Sequence, residues 1–207
     1  MTAVARVALL DLRTIAPYRR QGLLLLVVVT AILANRPTTL VPALVLLVAP
    51  SVISYPFSVA DKAGLDTLYA VLPLRRRSVV LGHYAWAVSA FLALAAGGTA
   101  VTLALAHAES KPLGGHALGI VLAVAWGMFA VNVAVQFPLF IRFGYTRISV
   151  LGTVLPLALV VIAVVRLRVP VAGIESWVPL LWPIGAALIA VSVAVSVVLD
   201  RRPVQIR

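Results

Sequence analysis

Long apolar stretches, bounded by charge, glycine or proline, dominate this chain, and six approach the roughly 20 residues that a helix needs to cross a hydrocarbon core. They cover residues 21–35, 38–60, 79–106, 117–141, 148–165 and 179–199. Each predicts a helix. The expected fold class is therefore all-α: a polytopic integral membrane bundle of about six transmembrane helices occupying residues 21–207. The first stretch is the shortest, its apolar part running only from Leu23 to Ala34. To span, it needs Arg19 and Arg20 to snorkel toward the headgroups; the competing reading is a re-entrant hairpin made of the first two stretches.

Residues 1–20 follow a different pattern. Val4, Val7, Ala8 and Leu12 share one side at helical spacing while Arg6 and Arg13 lie elsewhere, which predicts an amphipathic helix in the membrane interface. A solvated tail is the alternative, because the polar face is thin and Pro17 interrupts it. Arg6, Asp11, Arg13, Arg19 and Arg20 are interleaved with apolar positions and no small-residue cleavage site follows, so a removable signal peptide is not expected.

Composition agrees with burial in lipid. Hydrophobic residues make up 63% and charged residues 11% of the 207 positions, against roughly half and a quarter in a soluble domain. The formal charge of +11 would suit a nucleic-acid binder, but these cations sit between apolar runs instead of forming one face, so no nucleic-acid partner is expected and the charge reports topology. With both termini cytoplasmic, Arg6, Arg13, Arg19, Arg20, Lys62, Arg75, Arg76, Arg77, Arg142, Arg147, Arg201, Arg202 and Arg207 fall inside. Only Arg36, Lys111, Arg166 and Arg168 of the 17 cations fall outside, the bias expected of retained basic loops. The outer segments 107–116 and 166–178 carry turn residues, and Trp177 and Trp182 suit an interfacial aromatic belt. The second of these segments is apolar enough to fold back into the membrane.

Candidate chemistry is sparse. The chain has no cysteine, and His83, His107 and His116 lack helical pairing, so no metal site is expected. Lys62 and Lys111 do not follow glycine, so no phosphate-cradling loop is present and the chain is not expected to hydrolyse nucleotide or to bind a cofactor. Asp11, Asp61, Asp66 and Asp200 map inside and Glu109 and Glu175 outside, leaving no carboxylate mid-span for an intramembrane protease or a proton relay. Ser51, Ser54, Thr99, Thr102, Ser192 and Ser196 suit helix-to-helix packing. Asn132 and Gln136, one turn apart on one face, are read as part of a subunit interface or a translocation path. Pro42, Pro50, Pro56, Pro138 and Pro156 should each free a carbonyl and bend their helices.

The most informative stretch is Asp61 to Tyr84. Leu65, Leu68, Tyr69 and Leu72 recur at helical spacing opposite Asp66 and Thr67, and Pro73 ends that helix before Arg75, Arg76 and Arg77. A short helix with an apolar stripe beneath the bilayer fits a groove in a soluble partner or, equally, an anionic membrane surface. Asp61, Lys62, Gly64, Leu72, Pro73, Arg75, Arg76, Gly82 and Tyr84 together resemble the first cytoplasmic loop of type-two ATP-binding-cassette (ABC) transporter permeases. A second segment from Pro138 to Arg147, PLFIRFGYTR, resembles a signature of one small bacterial six-span branch of that family through Pro138, Arg142, Phe143, Gly144, Tyr145 and Arg147. Asp61 stands where the family commonly has Glu, and His83 where it commonly has Lys.

The resemblance implies a permease in a bacterial cytoplasmic membrane, dimeric with a second copy or a paralogue. A separate ABC ATPase would bind ATP and magnesium and dock on the loop at residues 61–77. Export is the expected direction, and the absence of a charged site in the spans suggests an amphipathic cargo such as a peptide, lipid or drug. The alternatives are a non-transport scaffold or sensor that recruits a soluble factor, and an intramembrane enzyme, which the missing central carboxylates disfavour.

Overall fold

A computed structural model describes residues 3–15, 19–33, 37–64, 76–108, 113–167 and 171–199. Among these residues there are eight helices and no strand: α1 (Ala3–Ile15), α2 (Arg19–Leu33), α3 (Pro37–Leu47), α4 (Ala49–Ala63), α5 (Arg76–Ala108), α6 (Gly115–Phe143), α7 (Tyr145–Leu167) and α8 (Val171–Leu199). Every apolar stretch of the sequence lies on a helix. Among the described residues four segments are long and apolar enough to cross a membrane: Thr39–Ala63, Arg77–Ala108, Gly115–Phe143 and Trp177–Leu199. The first stretch yields α2, whose 15 residues rise only about 22 Å, short of a core about 30 Å thick. It lays Val29 on Leu40 and Leu44 of α3 and leaves Leu23, Leu24, Val27 and Ile32 exposed.

Only one of the expected proline bends coincides with a break. α3 and α4 meet at Val48, two residues before Pro50, while Pro42, Pro56, Pro138 and Pro156 sit inside helices. Near the break Val48 N–H still donates to Leu44 and Val52 N–H to Val48, at 2.9 and 3.1 Å. Neighbouring bonds hold the helix direction, and a single missing N–H need not interrupt the span. α7 is instead distorted at Ile148 (φ −131°, ψ 17°), a position that no proline marks.

α6 is the central helix, packing most extensively on α8 and also against α7, α3, α4 and α5. Lipid is as apolar as leucine, so close packing and buried polar bonds must hold the helices together. Aromatic rings supply much of that packing: Phe57 meets Phe137 at 5.0 Å, Tyr84 meets Phe137 at 4.6 Å, and Phe91 meets Phe129 at 4.6 Å. Each such pair contributes about 1 kcal/mol beyond the area it covers. Trp182 stacks on Trp126 at 5.9 Å, and its carbonyl accepts the Trp126 indole N–H at 3.1 Å.

Candidate functional site

The two sequence motifs converge at one end of the bundle. α4 runs to Ala63 and stops at Gly64, whose left-handed backbone (φ 63°, ψ 31°) returns its N–H to Ala60. α6 runs to Phe143 and stops at Gly144, whose N–H donates to the Phe140 carbonyl at 2.9 Å. α7 then begins at once with Tyr145. The connection expected between the fourth and fifth spans is a helical turn, since α7 breaks helical geometry at Ile148 (φ −131°, ψ 17°) before its long part, and the residue that separates this turn from α6 is Gly144. Its φ of 79° is a conformation that side chains other than glycine tolerate poorly.

Asp61 ties these ends together. Its Oδ2 accepts the Thr146 backbone N–H and the Thr146 hydroxyl, both at 2.6 Å. Thr146 lies in the first turn of α7, where N–H groups have no partner within the helix, so a carboxylate from α4 caps that turn through a residue 85 positions later. The positive end of the helix dipole favours that negative group. Gly144 lies against the same carboxylate, and a Cβ there would meet both Asp61 oxygens at 3.4 Å. Behind the cap, Tyr145 packs edge-on to Phe140 at 5.2 Å, and Phe140 lies 5.6 Å from Phe57. Arg142 lies over the Phe143 ring at 5.2 Å.

A second joint binds the N-terminal helix to this end. His83 Nδ1 lies 2.7 Å from Asp11 Oδ2, with both residues buried, and the His83 ring lies 4.8 Å from Phe57. One residue earlier, Gly82 allows close approach: a Cβ there would overlap Val7 of α1. One residue later, the Tyr84 hydroxyl bonds Ser192 and, at 2.9 Å, Ser196 of α8. The triplet Gly82-His83-Tyr84 therefore fastens α1 on one side of α5 and α8 on another. α1 also packs on α4, so it touches both helices that flank residues 65–75.

Of the sequence-predicted docking residues, Asp61, Lys62 and Gly64 lie at the end of α4, and Arg76 opens α5. Leu65, Leu68, Tyr69, Leu72, Pro73 and Arg75 fall outside the described residues. In the second motif, Pro138 lies within α6, Gly144 and Tyr145 form the junction, and Arg142, Phe143 and Arg147 are exposed. Asn132 and Gln136 are buried inside the chain, away from the junction motif, at 4% and 1% exposure. Residues 1–20 were expected to turn Val4, Val7, Ala8 and Leu12 to one side; in α1 it is Val7 and Asp11 that are buried, while Leu12 is exposed beside Leu9 and Leu10.

Sequence reasoning missed Thr146, Asp11 and the role of His83. Only Thr146 left a signal, since a hydroxyl within the first turn after a helix-ending glycine is a recognisable capping position. The described cations Arg6, Arg13, Lys62, Arg77, Arg142 and Arg147 are all exposed and lie on the helix ends that these two joints bring together. Among the described residues the arrangement is a pair of polar fastenings at the basic end of an apolar bundle.

A family model described as ABC-2 family transporter protein matches residues 9–200. No curated protein and no solved structure matches the chain.

Proposed function

Because the chain belongs to the ABC-2 transporter family, a family of membrane permease components that work with an ABC ATPase, we propose that it is an export permease driven through the basic end described above. In this reading the loop at residues 61–77 is gripped by the separate ATPase, which binds ATP and magnesium, and the chain itself hydrolyses nothing. The Asp61–Thr146 joint is the observation that carries the proposal. It fixes the start of the docking loop to the start of α7, so that a displacement of one is delivered to the other. α1 reinforces the same end by touching both α4 and α5.

The remaining parts follow from length and charge. Six spans arise if α2 and α7 join the four long apolar segments, with the exposed leucines of α1 resting in the headgroup layer. The exposed cations at the joints favour that end as the cytoplasmic one, which leaves both termini inside, in a bacterial cytoplasmic membrane. A second copy or a paralogue completes the transporter, and an amphipathic cargo suits spans without a charged site.

The test is co-purification with an ABC ATPase, sought first among the genes beside this one, followed by reconstitution. Replacing Leu72 and Pro73 together by Ala and Gly should leave the complex assembled but abolish the dependence of cargo movement on ATP hydrolysis. Full coupling in that variant, or transport by the chain without any ATPase, refutes the proposal.

A further inference from the structure

The bundle interior contains a pair of amides that its own packing leaves unanswered. α6 is helical without interruption from Gly115 to Phe143, which places Asn132 and Gln136 on one face with their Cβ atoms about 6 Å apart. Both lie in a segment long and apolar enough to span. Asn132 Oδ1, Gln136 Oε1 and Gln136 Nε2 are buried and have no hydrogen-bond partner among the described residues. Tyr84 is answered by Ser192 and Ser196 and His83 by Asp11; the lone atoms Thr30 Oγ1, Trp86 Nε1 and Thr99 Oγ1 are also unanswered, but only Asn132 and Gln136 set two amides one turn apart.

Three candidates for satisfying these amides fail on geometry or charge. Lipid tails offer no donor or acceptor. A second copy of the chain cannot reach side chains already 96% or more enclosed by their own chain. A charged guest would meet no free counter-charge among the described buried residues, whose one carboxylate, Asp11, is engaged with His83. The remaining chemistry is a small neutral group that both donates and accepts. Water has it, and buried water characteristically occupies sites with two to four such polar atoms.

We propose that Asn132 and Gln136 form an internal hydration site, with water bridging the Gln136 amide and the Asn132 carbonyl inside the membrane-embedded bundle. This goes beyond the permease reading and does not depend on it. Hydrogen bonds to water can be exchanged without breaking a protein–protein contact, so a wet face on the central helix lets neighbouring helices shift at low cost. A dry, interdigitated face would resist that shift.

The experiment uses the full chain in bilayers of phosphatidylethanolamine and phosphatidylglycerol, with glutamine side chains labelled with nitrogen-15. The sequence has three glutamines, Gln21, Gln136 and Gln205, and the signal lost in Gln136→Met identifies the one of interest. In water-edited solid-state NMR, magnetisation should pass from water to Gln136 Nε2 at short mixing times although the residue lies mid-membrane. The Gln136→Met chain should unfold at the same temperature or about 2–4 °C higher, because an isosteric apolar side chain no longer needs the water. Absence of transfer to Gln136 overturns the proposal. So does a fall of more than about 4 °C in the variant, which would mean that protein groups already satisfy the amide. Neither readout involves the ATPase, so failure here leaves the permease reading intact and failure of coupling leaves this one intact.

Discussion

If the Asp61–Thr146 joint is an energetic connection, its two bonds must be worth more together than apart, and a double-mutant cycle measures that. A hydrogen bond to a charged group contributes about 1.5–3 kcal/mol when sheltered. Thr146 is exposed and Asp61 only half-buried, so water competes and the lower end of that range applies to the pair of bonds. The interaction with the start of α7 adds about 0.5 kcal/mol. Asp61→Ala should therefore cost about 2 kcal/mol, and Thr146→Val, which keeps the backbone N–H, about 1 kcal/mol. For a chain of this size the first loss lowers the unfolding temperature by about 4–8 °C. Thermal unfolding of the four chains in detergent micelles gives the interaction term, expected at about 1 kcal/mol, because once the carboxylate is gone the hydroxyl has nothing left to lose. Strict additivity, to within about 0.3 kcal/mol, refutes the reasoning and reduces the contact to a coincidence of two surface groups.

Two further outcomes concern the N-terminal helix. Asp11→Ala leaves His83 buried without its carboxylate and should cost about 3 kcal/mol, seen as a lower unfolding temperature together with faster proteolysis within residues 3–15. Gly82→Ala places a methyl group into Val7 and should cost about 1–3 kcal/mol through overpacking. Adding Val7→Ala should restore most of that loss, and an equal loss with and without the second change would show that the two residues do not touch.

The fold was legible wherever apolar runs were long, because the hydrocarbon core sets a length that composition either meets or misses. α5, α6 and α8 follow their predicted stretches to within a few residues at all but the entry to α8. The joints were not legible. Asp11 and His83 are 72 residues apart and neither stands out locally, so the face of Val4, Val7, Ala8 and Leu12 gave no hint that Asp11 is buried beside Val7. His83 appeared as a departure from the family pattern with no role of its own; its role emerges only when α1 is laid across α5. The second motif read as a loop because Gly144 and the charges of Arg142 and Arg147 suggested one; α6 runs right up to that glycine, a helical turn follows at once, and the second break falls at Ile148.

Between the central rod and the long part of α7 the chain has two soft points, Gly144 and the non-helical Ile148, with one helical turn between them. A longer linker would absorb a push at this end as slack. Here a reorientation of the central rod passes through these few residues, and the carboxylate lodged against the glycine and bonded to Thr146 in the intervening turn is positioned to set their rest angle.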